Sequence, residues 1–106
     1  MLSPEQAILG FAAVGSGPRM HVLLTLIRAG DDGLLFGELV ARADIPASTL
    51  SHHLRHLTDA GLVTQEKLGR QTRSRPDFIQ LEQLSGFLLV NCCADARNSL
   101  HQSIAG

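Results

Sequence analysis

The chain has 106 residues, a formal charge of −1 and only four aromatic residues, all Phe. That length makes one domain, 1–106, with a real but modest core in which aliphatic side chains do the packing. The N-terminus has no basic region and no apolar run approaches the ~18 residues of a membrane span. The expectation is therefore a cytoplasmic protein with no membrane partner, whose two cysteines are reduced thiols rather than a structural disulfide. No nucleophile, base and orienting group occur together in a recognisable pattern, so no enzyme is expected.

A charge near zero is not that of a general polyanion binder, but its distribution is uneven. Arg55, Lys67, Arg70, Arg73 and Arg75 put five of the nine basic residues between positions 55 and 75, opposed there only by Asp59 and Glu66. Dimerisation would double this local patch.

In chain order, Ser3-Pro4-Glu5-Gln6 reads as a helix start, with Ser3 as N-cap, Pro4 at the first helical position and Gln6 closing a capping box. Ile8, Leu9, Phe11 and Ala12 give this helix an apolar face, and Gly15-Ser16-Gly17 breaks it. Pro18 opens a second helix, RMHVLLTLIRAG, apolar on most sides and so the central core helix. His21 within it reads as a partly buried packing residue, because no second metal ligand sits one turn away. Asp31-Asp32-Gly33 is a turn and Leu34-Leu35 a short strand. Phe36 to Asp44 is a short helical pattern, separated only by Ile45 and Pro46 from a longer one at about 47–60.

In that longer helix Leu50, Leu54 and Leu57 fall at i, i+4 and i+7 and form one apolar stripe. Ser48, Ser51, His52 and Arg55 occupy the opposite side, with Thr49 beside them, and Gly61 stops the helix. Such a face carries the groups that reach phosphates and base edges in a DNA major groove; on spacing alone it serves equally as a solvated surface. Two short helices with a tight connection favour the first reading, since they fit a helix-turn-helix whose second helix enters the groove. Beyond Gly61, Leu62 to Lys67 alternates as a strand, and Phe78, Ile79 and Leu81 suggest a returning strand near 75–80. Leu68 to Arg75 between them reads as a polar, basic tip, whose Arg70, Arg73 and Arg75 grip DNA or simply stand in solvent. The span from Glu82 to about Ile104 reads as a last helix, apolar on more than one face, with Cys92-Cys93 inside it.

The pattern from Ser48 to Val63, S-x-x-S-H-H-L-x-x-L-x-x-A-G-L-V, resembles the ArsR/SmtB family of winged-helix repressors, and the order of elements extends the resemblance over nearly the whole chain. It implies a mainly α fold with a small β-hairpin wing (α+β): a winged helix-turn-helix with recognition helix at about 47–60, wing at about 62–80 and a dimerisation and sensor helix at about 82–104. It further implies a homodimer formed through the first and last helices, double-stranded operator DNA as partner, and Ser48, Thr49, Ser51, His52, Arg55, Arg70, Arg73 and Arg75 as the DNA-binding residues.

The family's inducer sites are only partly present. Leu35 and Gly37 stand where many members carry metal-binding cysteines before the motif. The Asp/His/His/Glu zinc set on the last helices also fails, since Ile79 follows Asp77 and His101 stands alone. What remains is Cys92-Cys93, which serves either as ordinary packing or as a site for a soft, thiophilic inducer. The resemblance implies a trivalent arsenic species. Arsenite prefers three thiolates and Ser99 is no third one, so the expected inducer is methylarsenite before arsenite, with no permanent cofactor. A redox- or persulfide-sensing regulator using the same thiols is the alternative. Successive residues on a helix point about 100° apart, so chelation by both thiols requires a distorted turn or a ligand from the other subunit.

Overall fold

The computed structural model describes residues 1–96. Its elements are α1 (Pro4–Val14), α2 (Gly17–Ala29), β1 (Leu34–Leu35), α3 (Phe36–Ala43), α4 (Ala47–Asp59), β2 (Val63–Leu68), β3 (Gln71–Pro76) and α5 (Phe78–Val90). The expected capping box opens α1. The Ser3 amide donates to Gln6 Oε1 at 2.9 Å and the Gln6 amide to Ser3 Oγ at 3.2 Å, which satisfies two of the donors a helix start leaves free. At the other end of α1, Arg19 reaches back from α2 and donates to the carbonyls of Ala13 (2.7 Å) and Ala12 (3.1 Å). A guanidinium thus occupies the negative end of the helix and fixes the corner between α1 and α2, which bend by 98°. Among the described residues no single helix is long and apolar enough to cross a membrane.

Helix α2 is the central core helix. Val22, Leu23 and Leu26 are buried, and they join Leu39 and Ala43 of α3 with Leu50, Leu54 and Leu57 of α4 in one cluster. His21 is more exposed than a packing residue. Its Nε2–H donates to the Ala43 carbonyl at 2.8 Å, which staples α2 to the end of α3 where a C-terminal carbonyl would otherwise go unpaired. The stripe on α4 is buried as its spacing requires, with Leu50, Leu54 and Leu57 each at most 2% exposed. The end of that helix is a Schellman motif: the Gly61 amide bonds to the Thr58 carbonyl and the Leu62 amide to the Leu57 carbonyl, both at 3.0 Å. The accompanying apolar contact is supplied by Leu57 and Leu62, both fully buried.

The antiparallel sheet has the order β1-β3-β2. Here two expectations need correction. The returning strand is not at 75–80 but at Gln71–Pro76, paired with β2 from Leu68↔Gln71 to Val63↔Pro76, so the tip shrinks to the two-residue turn Gly69-Arg70. The alternation was hidden because the inward residues of β3 are Thr72, Ser74 and Pro76, small or polar groups rather than large apolar ones. Ser74 is completely buried, and its hydroxyl accepts from Gln65 Nε2 at 3.2 Å. Phe78, Ile79 and Leu81 instead belong to α5, whose start is fixed by Asp77: its carboxylate accepts from the Gln80 amide at 3.0 Å.

The last helix therefore begins four residues before Glu82, and it ends at Val90, so Cys92-Cys93 lie in turns beyond it. The part of the expected helix over 97–104 lies outside the described residues. Leu84 of α5 packs onto α1 at Gly10, where an added Cβ would sit 2.9 Å from the leucine methyls; this close approach holds the first and last helices together. Their other faces carry exposed apolar side chains, Ile8 and Leu9 on α1 and Ile79, Leu88, Leu89 and Val90 on α5.

Candidate nucleic-acid interface and thiol pair

Because α4 uses one side for Leu50, Leu54 and Leu57, its remaining side is free, and Ser48, Thr49, Ser51, His52 and Arg55 are all exposed there. The wing meets this helix along an open cleft of about 630 Å³ lined by Ser51 of α4, by Phe36 to Glu38 at the start of α3, and by Arg70 to Thr72 of the hairpin. An adjoining cleft of about 320 Å³ carries Ser51 and Arg55 together with Thr58, Gln65 and Thr72. Ser51, Arg55 and Arg70 are therefore brought to one concave side of the molecule. Gln65 and Thr72 share it and were not among the residues expected from sequence. The period-2 pairing of β2 with β3 is the signal that finds them, once the strand is placed at 71–76.

The same alternation sends Arg73 and Arg75 to the other face of the hairpin. Arg73 donates to the Asp32 carbonyl at 2.9 Å, tying the wing to the turn before β1, and Arg75 pairs with Glu66 at 2.9 Å. Both ends of that ion pair are well exposed, so it adds little stability. The basic cluster seen in sequence thus divides into Arg55, Lys67 and Arg70, whose side chains hold no protein partner among the described residues, and two arginines occupied by backbone or carboxylate.

His53 lies at the edge between the two sides of α4. Its Nδ1 is shielded from solvent without a hydrogen-bond partner. Burial, followed by the charges of His52, Arg19 and His56, lowers its pKa and favours the neutral ring. This is a packing environment rather than that of a base-reading side chain.

Beyond α5, Cys92 and Cys93 are free thiols, both half-buried. The chain turns sharply here: the Cys92 amide bonds to the Leu89 carbonyl at 2.9 Å, and Cys93 adopts a left-handed φ of 58°. That rotation removes the divergence two successive helical residues would have, and the sulfurs approach to 3.6 Å. The hydrogen bond with Cys92 holds the Cys93 thiol above its ordinary pKa, with burial and the Cys92 charge acting in the same direction. Among the described residues no group of three or more His, Cys, Asp or Glu side chains converges on a metal position.

A helix-turn-helix domain family matches residues 15–66. No curated protein matches the chain in sequence. The fold is similar to that of an ArsR-like transcriptional regulator from Rhodococcus sp. RHA1, with 26% identity, 95% of this chain and 93% of that one covered, and a TM-score of 0.74. It is also similar to a possible transcriptional regulator for arsenical resistance, with 30% identity, 83% and 96% covered, and a TM-score of 0.64. A homodimeric winged helix-turn-helix DNA-binding domain from Mycobacterium bovis, a possible ArsR-family regulator, shares the fold at 22% identity, with 86% and 80% covered and a TM-score of 0.65. With the Ser48–Val63 pattern on an exposed helix, a two-stranded wing beside it and these relatives, the chain belongs to the ArsR family of winged-helix, DNA-binding transcriptional regulators.

Proposed function

We propose that this protein is a homodimeric repressor that leaves its operator when a trivalent organoarsenical bridges Cys92 and Cys93. The observation that carries the inducer reading is the 3.6 Å separation of the two sulfurs. For scale, two thiolates each ~2.3 Å from one centre lie about 3.3–3.5 Å apart on a pyramidal centre and about 3.8 Å on a tetrahedral one, so a single soft atom spans this pair with little movement. Methylarsenite has one carbon substituent and two exchangeable hydroxyls. Exchange of both As–O bonds for As–S bonds sends the two thiol protons away with the hydroxides as two waters, and leaves no coordination position for a third thiolate. The relative named for arsenical resistance agrees with this chemistry.

The exposed apolar residues of α1 and α5 support a dimer through the first and last helices, since they cover more surface than one small domain buries by itself. The homodimeric state of the Mycobacterium bovis domain agrees with it. On such a dimer Ser48, Thr49, Ser51, His52 and Arg55 face the major groove of each half-site, and Arg70 at the hairpin tip reaches the flanking backbone. Arg73 and Arg75 contribute to the field around the wing from its other face. The thiol pair follows directly on α5, so drawing the two sulfurs onto one atom reshapes the chain at the end of the dimer helix. Two recognition helices must meet grooves about 34 Å apart, and a small change of dimer angle weakens both contacts at once.

Replacing either cysteine with serine is expected to leave DNA affinity intact and to abolish release by methylarsenite, read by fluorescence anisotropy. A serine variant still released at the parent's concentration would sink the site. A second reading rests on the same contact. Two sulfurs this close are both within reach of one oxidant or persulfide donor, and in that case an oxidant releases the DNA while methylarsenite does not.

A further inference from the structure

The exposed side of α4 carries a second arrangement that reading DNA does not require. His52 and His56 stand one helical turn apart, their rings meet edge to face at 83° with centroids 4.7 Å apart, and their Nε2 atoms lie 3.3 Å from each other. Both side chains are exposed, so neither the core nor a buried network dictates this approach. One ring nitrogen donates to the other at the long end of the hydrogen-bond range, so the two nitrogens already converge on one point. Their separation is the distance two nitrogens have when each lies ~2.0–2.1 Å from one tetrahedral zinc ion, about 3.3 Å.

We propose that His52 and His56 form a two-histidine chelate for a borderline divalent cation, of which zinc is the probe, on the DNA-facing side of the recognition helix. Imidazole at i and i+4 on a helix is an established way to present two nitrogens to one metal. Here water completes the coordination sphere, because no third histidine, cysteine or carboxylate among the described residues converges on the pair. Asp59 lines a pocket of about 370 Å³ with His56, and Arg19 lines the same pocket, so the carboxylate's field there is opposed by a fixed positive charge. Such a site is open and exchanges readily, which suits a regulatory ion rather than a structural one.

The consequence for DNA rests on the operator reading above. A hydrated ion held by His52 takes that ring away from the bases and fills the gap between α4 and the groove. Metal and operator therefore compete, each lowering the other's affinity by the same factor.

The test uses the full chain carrying Cys92→Ser and Cys93→Ser, so that thiolates do not capture the metal. Zinc is titrated by calorimetry and by NMR of the histidine ring carbons. The expected result is one zinc per chain, with the His52 and His56 ring signals shifting together and saturating together. His52→Gln and His56→Gln are each expected to weaken binding at least roughly tenfold, since removing even outer-shell partners of a metal ligand costs 10- to 100-fold. Zinc binding unchanged in either glutamine variant, or ring shifts confined to other histidines, would overturn the site. In a second arm, zinc is expected to displace operator DNA from the parent and not from His56→Gln, which keeps a DNA contact surface intact. Equal displacement from both would overturn the competition. Absence of any DNA binding would instead strike the operator reading, while the zinc titration decides the chelate independently.

Discussion

Gly33→Ala is expected to unfold the protein or to cost more than about 4 kcal/mol, a range reserved for a few structural failures. Gly33 has φ +63°, and a Cβ added there would overlap the Ser74 carbonyl oxygen and lie 2.9 Å from Arg75 Cα. The left-handed backbone alone costs a side chain about 1–2 kcal/mol. The larger part is the clash, because neither side can yield. Ser74 sits fully buried in the central strand, bonded to β1 on one side and β2 on the other, and Leu34 next to the glycine is its partner. Relief requires β1 to lift from β3, which uncouples α3 from the wing and opens the cleft where Ser51, Arg55 and Arg70 meet. Gly37→Ala is the matched control: the site is helical and open, with nothing within 4 Å of the new methyl, and up to about 1 kcal/mol of stabilisation is expected. Urea unfolding followed by circular dichroism separates the two. A Gly33→Ala chain within about 1 kcal/mol of the parent would mean that the turn and the β1–β3 pairing are not as described.

The second large effect concerns binding. Arg55→Ala is expected to cost about 1–3 kcal/mol for each recognition helix, at least tenfold in operator affinity, and to relax base preference at the position it reads. Arg70→Ala at the hairpin tip is expected to weaken all sequences alike and to lower the salt dependence by about one phosphate contact per subunit. Arg73→Ala behaves differently, because its guanidinium is spent on the Asp32 carbonyl: its first effect is on the anchoring of the wing. The check is a salt series of anisotropy titrations on operator and unrelated DNA. If Arg55→Ala and Arg73→Ala lost the same affinity with the same salt slope, α4 would not be the reading element.

Much of this architecture is legible in the residues. Ser3 with Gln6, the leucines at i, i+4 and i+7, and the glycine closing α4 each announce a local structure whose hydrogen bonds or burial are then found. Strand β3 is not legible because its inward positions are Thr72, Ser74 and Pro76; periodicity is read from apolar residues, and here the buried side is polar and paired to Gln65. The start of α5 was open to reading through Asp77 and Gln80, three residues apart, but the β-branched and aromatic pair Phe78-Ile79 pointed to a strand. The site was legible in its chemistry and not in its geometry. That two arginines of the basic cluster turn to the far face of the hairpin depends on strand register, and that two adjacent thiols face each other depends on a single left-handed residue, Cys93.

The most direct test is the anisotropy of labelled DNA from the chain's own upstream region, with the protein bound and methylarsenite, arsenite and an oxidant added separately. The account predicts salt-dependent binding by the parent, release by methylarsenite at lower concentration than by arsenite, and no release of the Cys92→Ser or Cys93→Ser chain. Release by the oxidant alone would contradict the arsenical reading, and failure to bind the DNA at any salt concentration would contradict the repressor itself.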